Sequence, residues 1–240
     1  MRIGVCFAVV VAVVVASLQP AAALCISMGL QASVLTTRDT VLPPDGGVLV
    51  GYQSGRDNDD TSGDPSNQPG WTASEGKATI ALSRVSLAPG LSVYRPAAGT
   101  GGELILKDKK GTALGRFTRD PKAARSTLGA PRPKSLAVSV EQVRRGNRVH
   151  AVAHLLAAPP RLAFALIVYR IDKDSAKALS FVRLPDTHDE LTELDVFEDA
   201  GRCGTLPQGS VPPAAGDKIG LAWADAYGRV SPISAPIVVK

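Results

Sequence analysis

Long apolar runs, aromatic residues and cysteines are all scarce in this chain of 240 residues. Aromatic side chains make up 5% of the chain, too few for a platform on which nucleic-acid bases stack. The formal net charge is only +5, which also argues against nucleic acid as a partner. Beyond the N-terminal region no apolar segment approaches the roughly 20 residues that cross a bilayer, so we expect no transmembrane span in the mature chain.

The sequence also lacks the short motifs of several enzyme classes. It contains no phosphate-binding glycine loop and no G-x-S-x-G sequence that places a nucleophilic serine on a sharp turn. His150 and His154 are four residues apart, but the glutamate of the zinc-binding H-E-x-x-H motif is missing. On a strand these histidines would lie about 13 Å apart, too far to share one metal ion. We predict no catalytic residue and no cofactor, and a secreted hydrolase with a site assembled from scattered residues is the alternative.

Residues 1–23 have the composition of a secretory signal peptide. Arg2 precedes an apolar run that begins at Ile3 and ends near Leu18, and Pro20 and three alanines follow it. The run is shorter than a membrane span. We therefore expect an exported protein of bacterial type, either periplasmic or extracellular.

Cleavage of this peptide would remove Cys6 and leave two cysteines, Cys25 and Cys203. Two thiols in an exported protein usually form one disulfide. A Cys25–Cys203 bridge would close a loop of about 180 residues and contribute roughly 4–5 kcal/mol. The alternative is a lipid anchor on Cys25, although Leu24 directly before it fits a lipidation motif poorly and Cys203 would be left unpaired.

Short apolar segments separated by turn residues recur along the rest of the chain, which has 23 glycines and 18 prolines. In one of them Ala78, Ile80 and Leu82 alternate with other residues, as they do in a strand. The most apolar segment, residues 162–172, predicts a central strand that is buried on both faces. A helical pattern is suggested only at residues 188–200, where we expect a short helical turn. The predicted fold class is all-β.

Residues 120–134 lose the alternation and are rich in proline, alanine and arginine, a composition typical of a linker. This segment divides the chain into an N-terminal domain, residues 24–119, and a C-terminal domain, residues 135–240. We predict two β-sandwich domains in tandem after the signal peptide.

The last residues, 220–240, resemble the final hairpin of fibronectin type III and immunoglobulin-like domains. The match consists of an aromatic strand, an Asp-x-x-Gly-Arg turn, two serines and a closing apolar strand: Trp223, Asp225, Gly228, Arg229, Ser231, Ser234 and residues 237–239. The resemblance implies an immunoglobulin-like sandwich. These domains share no catalytic residues, so it implies no activity.

Each polar residue of this hairpin has a local structural explanation. We expect Asp225 to begin a turn by accepting backbone N–H bonds, and Gly228 to adopt a positive φ. Trp223 and Leu221 should face the core together. Two prolines, Pro232 and Pro236, predict that the closing strand lies at a sheet edge.

A polar loop at residues 54–70 is the candidate metal site. Its carboxylates lie close together in the sequence: Asp57, Asp59, Asp60 and Asp64. Such oxygen ligands suit calcium, but the EF-hand positions for glycine and glutamate hold Ser62 and Gln68. A solvated loop is the simpler interpretation and a surface calcium site is the alternative.

Charge is distributed unevenly along the chain. Residues 116–148 contain nine Lys or Arg and two acids, whereas residues 186–199 contain seven acids and no Lys or Arg. We expect these segments either to meet between the domains or to dock an envelope protein, an anionic polysaccharide or lipid headgroups. Tyr52, Trp71 and Tyr94 are candidates for an aromatic binding patch. The sequence therefore predicts an exported binding or structural protein, with an inhibitor or adaptor that pairs an edge strand as a further alternative.

Overall fold

The computed structural model describes residues 31–36, 41–43, 45–53, 71–97, 101–107, 110–120, 122, 127–143, 146–173, 175–185, 190–198 and 210–240. Those residues form strands and turns and contain no helix, which confirms the all-β prediction. The strands are β1 (Gln31–Val34), β2 (Val41–Leu42), β3 (Val48–Gln53), β4 (Thr72–Glu75), β5 (Ala78–Ile80), β6 (Leu82–Ala88), β7 (Leu91–Pro96), β8 (Gly102–Lys107), β9 (Ala113–Arg119), β10 (Pro133–Val143), β11 (Gly146–Leu155), β12 (Ala163–Asp172), β13 (Ser175–Arg183), β14 (Glu193–Glu198), β15 (Lys218–Asp225) and β16 (Ile237–Val238).

The strands form four sheets, two from each half of the chain. The N-outer sheet has the order β2-β9-β8-β4-β5 and the N-inner sheet the order β1-β3-β7-β6. The C-inner sheet has the order β13-β12-β15-β16 and the C-outer sheet the order β10-β11-β14. All pairings are antiparallel except the short contact of β2 with β9.

Three apolar clusters lie between these sheets and order them as four layers. Phe117 and Leu104 of the N-outer sheet pack with Val50 of the N-inner sheet. Trp223 of the C-inner sheet packs with Phe197 and other residues of the C-outer sheet. The third cluster joins the two inner sheets to each other, so the halves of the chain share a core.

We call this shared group of buried apolar residues the interface cluster. Its buried members are Leu49, Ala88, Leu91, Val93, Ala165, Ile167 and Ala224. Successive side chains of a strand point to opposite faces, so the central inner strands are buried on both sides, whereas the edge strands β6 and β13 are partly exposed. In β12, Leu166 and Val168 face the C-outer sheet while Ala165 and Ile167 face the N-inner sheet, as the prediction of a central, doubly buried strand requires.

The outer strands have one buried and one solvent-facing side. Along β9 the buried residues Gly115, Phe117 and Arg119 alternate with exposed ones.

The acidic segment, residues 186–199, shows the same alternation where the structure describes it, so the prediction of a helical turn there is wrong for its described residues. Residues Glu193–Glu198 form β14, in which Leu194 and Val196 are buried and Asp195 is exposed. Register pairing with β11 determines this conformation.

Candidate functional site

The turn at residues 225–229 is built around the carboxylate of Asp225, which is 1% exposed. One carboxylate oxygen accepts hydrogen bonds from the backbone N–H groups of Tyr227 and Arg229, both at 2.9 Å. The other accepts from Nε of Arg229 at 2.7 Å. Gly228 has φ of 75°. The expected roles of Asp225 and Gly228 are confirmed, and the polar groups of this turn are used internally.

The same turn connects the two halves of the chain through its carbonyl groups. The Ala226 carbonyl accepts from the Thr36 hydroxyl at 2.9 Å, and the Tyr227 carbonyl accepts from the Gly47 N–H at 3.0 Å. The Gly228 carbonyl accepts from Arg95 at 3.4 Å. These three hydrogen bonds all come from the N-terminal half.

Close packing accompanies these bonds. A Cβ on Gly228 would lie 2.5 Å from a methyl group of Val93, closer than van der Waals contact permits. Thr36 also accepts the Leu49 N–H at 2.7 Å, so its hydroxyl links β3 to the turn. The turn therefore connects the two halves of the chain. It also packs against Val93, a member of the interface cluster.

The serines after the turn bond to β15. Ser231 and Ser234 each use their hydroxyl oxygen to accept a backbone N–H, from Trp223 at 2.9 Å and from Leu221 at 3.0 Å. Their own N–H groups donate to the carbonyls of the same two residues. Both serines are buried, and Trp223 and Leu221 lie in one core cluster as expected. β16, which ends this segment, is an edge strand, as the two prolines predict.

The three aromatic candidates come together, but in the interior. Tyr52 and Tyr94 are 1% and 5% exposed, and their hydroxyl oxygens are 2.6 Å apart. The ring of Trp71, which is half-buried, lies 5.3 Å from that of Tyr94. Burial and the hydrogen bond to Tyr94 raise the pKa of Tyr52 far above its ordinary value. These residues form a satisfied core group, so the idea of an exposed aromatic patch is not supported.

A second inward polar group lies in the N-outer sheet. Nη1 of Arg119 is 3.8 Å from Oε2 of Glu75, and both side chains are largely buried. Arg119 also donates to the Ala97 carbonyl at 3.4 Å. Burying a charge is tolerated when it is paired and hydrogen-bonded. One of the nine cations of the basic segment is therefore internal and unavailable to a partner.

The two histidines of the C-outer sheet lie on its outward face, each beside a carboxylate of β14. Nε2 of His150 is 2.8 Å from Oδ1 of Asp195, and Nδ1 of His154 is 3.2 Å from Oε1 of Glu193. The described acids of β14 thus lie within the C-outer sheet, away from the interface cluster, which is apolar. Among the residues that the structure describes, no three His, Cys, Asp or Glu side chains are grouped to hold a metal.

Several sequence predictions fall outside the described residues. They include the disulfide cysteines Cys25 and Cys203, the carboxylates Asp57, Asp59, Asp60 and Asp64, and His188. The disulfide, the lipid anchor and the calcium site therefore stay predictions. Within the described ranges no helix is long and apolar enough to cross a membrane.

Comparison with known proteins adds little to this geometry. No protein-family model and no curated protein matches the chain. Among solved structures, it is similar to the glycoside hydrolase domain of Endo-D from Streptococcus pneumoniae R6, with 12% identity and a TM-score of 0.25. That match covers 89% of this chain and 36% of the other. Such a score carries no argument about fold or activity.

Proposed function

We propose that this chain is an exported, non-enzymatic binding or structural protein of the cell envelope or the extracellular space. In this proposal residues 1–23 are removed as a signal peptide. Residues 24–119 and 135–240 then form two immunoglobulin-like sandwiches in tandem. A disulfide between Cys25 and Cys203 would tie the N-terminus of the mature chain to a point near its C-terminus.

The interface cluster carries the proposal. Interfaces between domains of one chain are usually polar enough to let the domains move. Here the two inner sheets bury apolar side chains against each other, and one turn receives three hydrogen bonds across the boundary. Such a unit holds its outer surfaces at a fixed spacing. That property suits a scaffold or a binding module better than an enzyme that closes over its substrate.

Export is tested by expressing the chain in a bacterial host and separating cytoplasm, periplasm, membrane and medium. We expect the protein in the periplasm or medium with an N-terminus near residue 24, and we expect deletion of residues 2–23 to keep it in the cytoplasm. Mass spectrometry with and without reductant tests the disulfide, since a bridge changes the mass by two hydrogens. A full-length cytoplasmic product would refute export, and a lipid-sized mass on Cys25 would replace the disulfide by an anchor.

One arrangement favours the second candidate, an exported hydrolase. Register pairing places Ser135 of β10 opposite His154 of β11, and His154 opposite Glu193 of β14. Paired residues of adjacent strands share a face. The carboxylate contacts Nδ1 of His154, which leaves Nε2 as the nitrogen that would activate a serine.

A serine-directed fluorophosphonate probe separates the two candidates. Labelling that is lost in Ser135→Ala and kept in Ser83→Ala, an exposed serine of β6, would establish the hydrolase. Absence of labelling, together with no hydrolysis of p-nitrophenyl acetate above the rate of the Ser135→Ala variant, would leave the non-enzymatic proposal in place.

A further inference from the structure

The connection from β11 to β12 presents two leucines to solvent at one end of the C-terminal half. Leu156 is 58% exposed and Leu162 is 53% exposed, which places both among the most exposed large apolar residues described. The Ala163 N–H donates to the Pro160 carbonyl at 2.7 Å, and Pro159 is buried. The connection is therefore an ordered turn, and its leucines are held outward rather than folded onto the core.

Exposed cations lie on the same connection and on the start of β10, which is hydrogen-bonded to it. Arg161 lies within the connection, and the carbonyl of Arg132 accepts the Leu156 N–H at 2.8 Å. Lys134 is the extra residue of a β-bulge between the register pairs of Pro133 with Leu155 and Ser135 with His154. A bulge redirects a side chain away from the regular sheet. Arg132, Lys134 and Arg161 are all exposed.

No acid lies on the two segments that supply these side chains, but the acidic segment runs beside them: the Thr192 carbonyl accepts the Leu155 N–H at 2.7 Å, and Glu190 is exposed. Residues 121–140 and 142–171, which supply all five side chains, contain no Asp or Glu. On the neighbouring strand β14, the carboxylate of Glu193 contacts His154. We call this group of exposed apolar and cationic side chains the leucine–arginine surface: Arg132, Lys134, Leu156, Arg161 and Leu162.

We propose that the leucine–arginine surface docks this protein onto an anionic lipid bilayer. Leucines enter the boundary between headgroups and acyl chains, and Arg or Lys beside them attract anionic headgroups. The two segments supply both contributions, two exposed leucines and three exposed cations, and the positive charge of these cations complements the lipid. A soluble anionic polymer would use the cations but would gain nothing from the two leucines. This inference deepens the proposed envelope role. It rests on export only because export determines which membrane the protein would meet.

Co-sedimentation with vesicles tests the proposal on protein purified from the fraction where the host accumulates it. The N-terminus is first read by mass spectrometry, so that an uncleaved leader is not mistaken for the loop. We expect binding to phosphatidylcholine vesicles that contain phosphatidylglycerol, and little binding to phosphatidylcholine alone. Leu156→Ser with Leu162→Ser should weaken binding about tenfold or more. Arg132→Gln with Arg161→Gln should weaken it about twentyfold and reduce its salt dependence.

Matched variants identify the surface. Val140→Ser with Val238→Ser removes two apolar residues that are exposed to a similar degree, 58% and 57%. Lys173→Gln with Lys177→Gln removes two exposed cations at the far end of β12 and β13. Both controls should bind as the unmodified protein does, and circular dichroism should show all variants folded.

Three outcomes would overturn the proposal. They are no binding to anionic vesicles, equal binding to both vesicle types, and equal losses in the controls. If binding to heparin, used as a soluble anionic probe, is as strong as binding to vesicles and insensitive to the leucines, the surface serves a polysaccharide instead. Because export is measured by fractionation, failure here and failure of the proposed function are distinguishable.

Discussion

The central strands of the inner sheets and the strands of the outer sheets differ in the pattern of their side chains. The central inner strands carry apolar runs, as in β15, where every residue from Ile219 to Trp223 is buried, whereas the edge strands β6 and β13 carry polar residues and are partly exposed. The outer strands alternate, and the polar side of β11 and β14 carries the histidine–carboxylate contacts. Strands covered on both faces need no polar side, whereas strands facing water do. We therefore expect substitutions in the inner layers to lower the free energy of unfolding most. The exposed histidine–carboxylate contacts lie in the outer layers.

The largest expected effect comes from opening a cavity between the inner sheets. Ile167 is fully buried in the interface cluster, so Ile167→Ala should lower the free energy of unfolding by about 3–4 kcal/mol. The matched change on an outer sheet is Val140→Ala, which should stay within about 0.5 kcal/mol. Urea unfolding followed by tryptophan fluorescence measures both. A loss below 1 kcal/mol at Ile167, on the order of a surface change, would contradict the shared core.

The connecting turn should be the next most sensitive region. Gly228→Ala combines an unfavourable φ with a steric overlap on Val93, and we expect a loss of about 2–3 kcal/mol. Gly111→Ala is the control, since Gly111 has φ of 83° and a Cβ added there would meet no atom beyond its chain neighbours within 4 Å. It should cost only about 1 kcal/mol. Adding Val93→Ala to Gly228→Ala should recover part of the stability, and no recovery would argue against close packing there.

A smaller and pH-dependent effect is expected where β15 begins. The Ala214 N–H holds the pKa of Asp217 below its ordinary value, and the guanidinium of Arg170, 2.8 Å away, lowers it further. Because the folded pKa is depressed, this stabilisation is present at neutral pH and is lost as pH falls through the usual carboxyl pKa of about 3.9 and below.

Asp217→Asn should cost about 1–2 kcal/mol at pH 7 and progressively less in acid. Urea unfolding at a series of pH values measures the convergence. Asp172→Asn, at the exposed end of β12, serves as the control and should leave the pH profile unchanged. Parallel profiles for Asp217→Asn and the unmodified protein would show that this carboxylate does not stabilise the fold as a charge.

The smallest expected effect lies on the outward face of the C-outer sheet. Glu193→Gln breaks a contact between two side chains that are 35% and 70% exposed, and the loss should not exceed about 0.5 kcal/mol. Thermal unfolding at low and high salt measures it. A loss above 1 kcal/mol, beyond the range for exposed pairs, would mean that this pair has a structural role and would remove the distinction between inner and outer layers.

The local sequence pattern predicted those features that depend on residues close together in the chain. The apolar run of β12 indicated a central strand, and the Asp225 turn followed from hydrogen-bonding rules for Asp and Gly. The conformation of β14 could not be recognised in this way, because its acidic helix-forming residues hide the alternation of Leu194, Asp195 and Val196, and a bulge shifts its register after Ala151. Tertiary pairing with β11 overrides that local preference.

Contacts between distant residues could not be predicted at all. The Thr36 hydroxyl and the Ala226 carbonyl are separated by 190 positions in the sequence. Nothing near Tyr52 or Tyr94 indicated that their hydroxyl groups would meet inside the core. The leucine–arginine surface likewise combines residues of two segments that only the β10–β11 register brings side by side.

The interface cluster also has a consequence for folding during synthesis. The N-inner sheet leaves the ribosome first, with Leu49, Leu91 and Val93 on a face that packs against residues of β12, β13 and β15. Until those strands emerge, the last of them ending at Asp225, a completed N-terminal sandwich would present an apolar sheet face to its surroundings. Such faces promote aggregation of nascent chains. We therefore expect the inner sheets to fold only once the last strands are synthesised, or with the help of a holding chaperone.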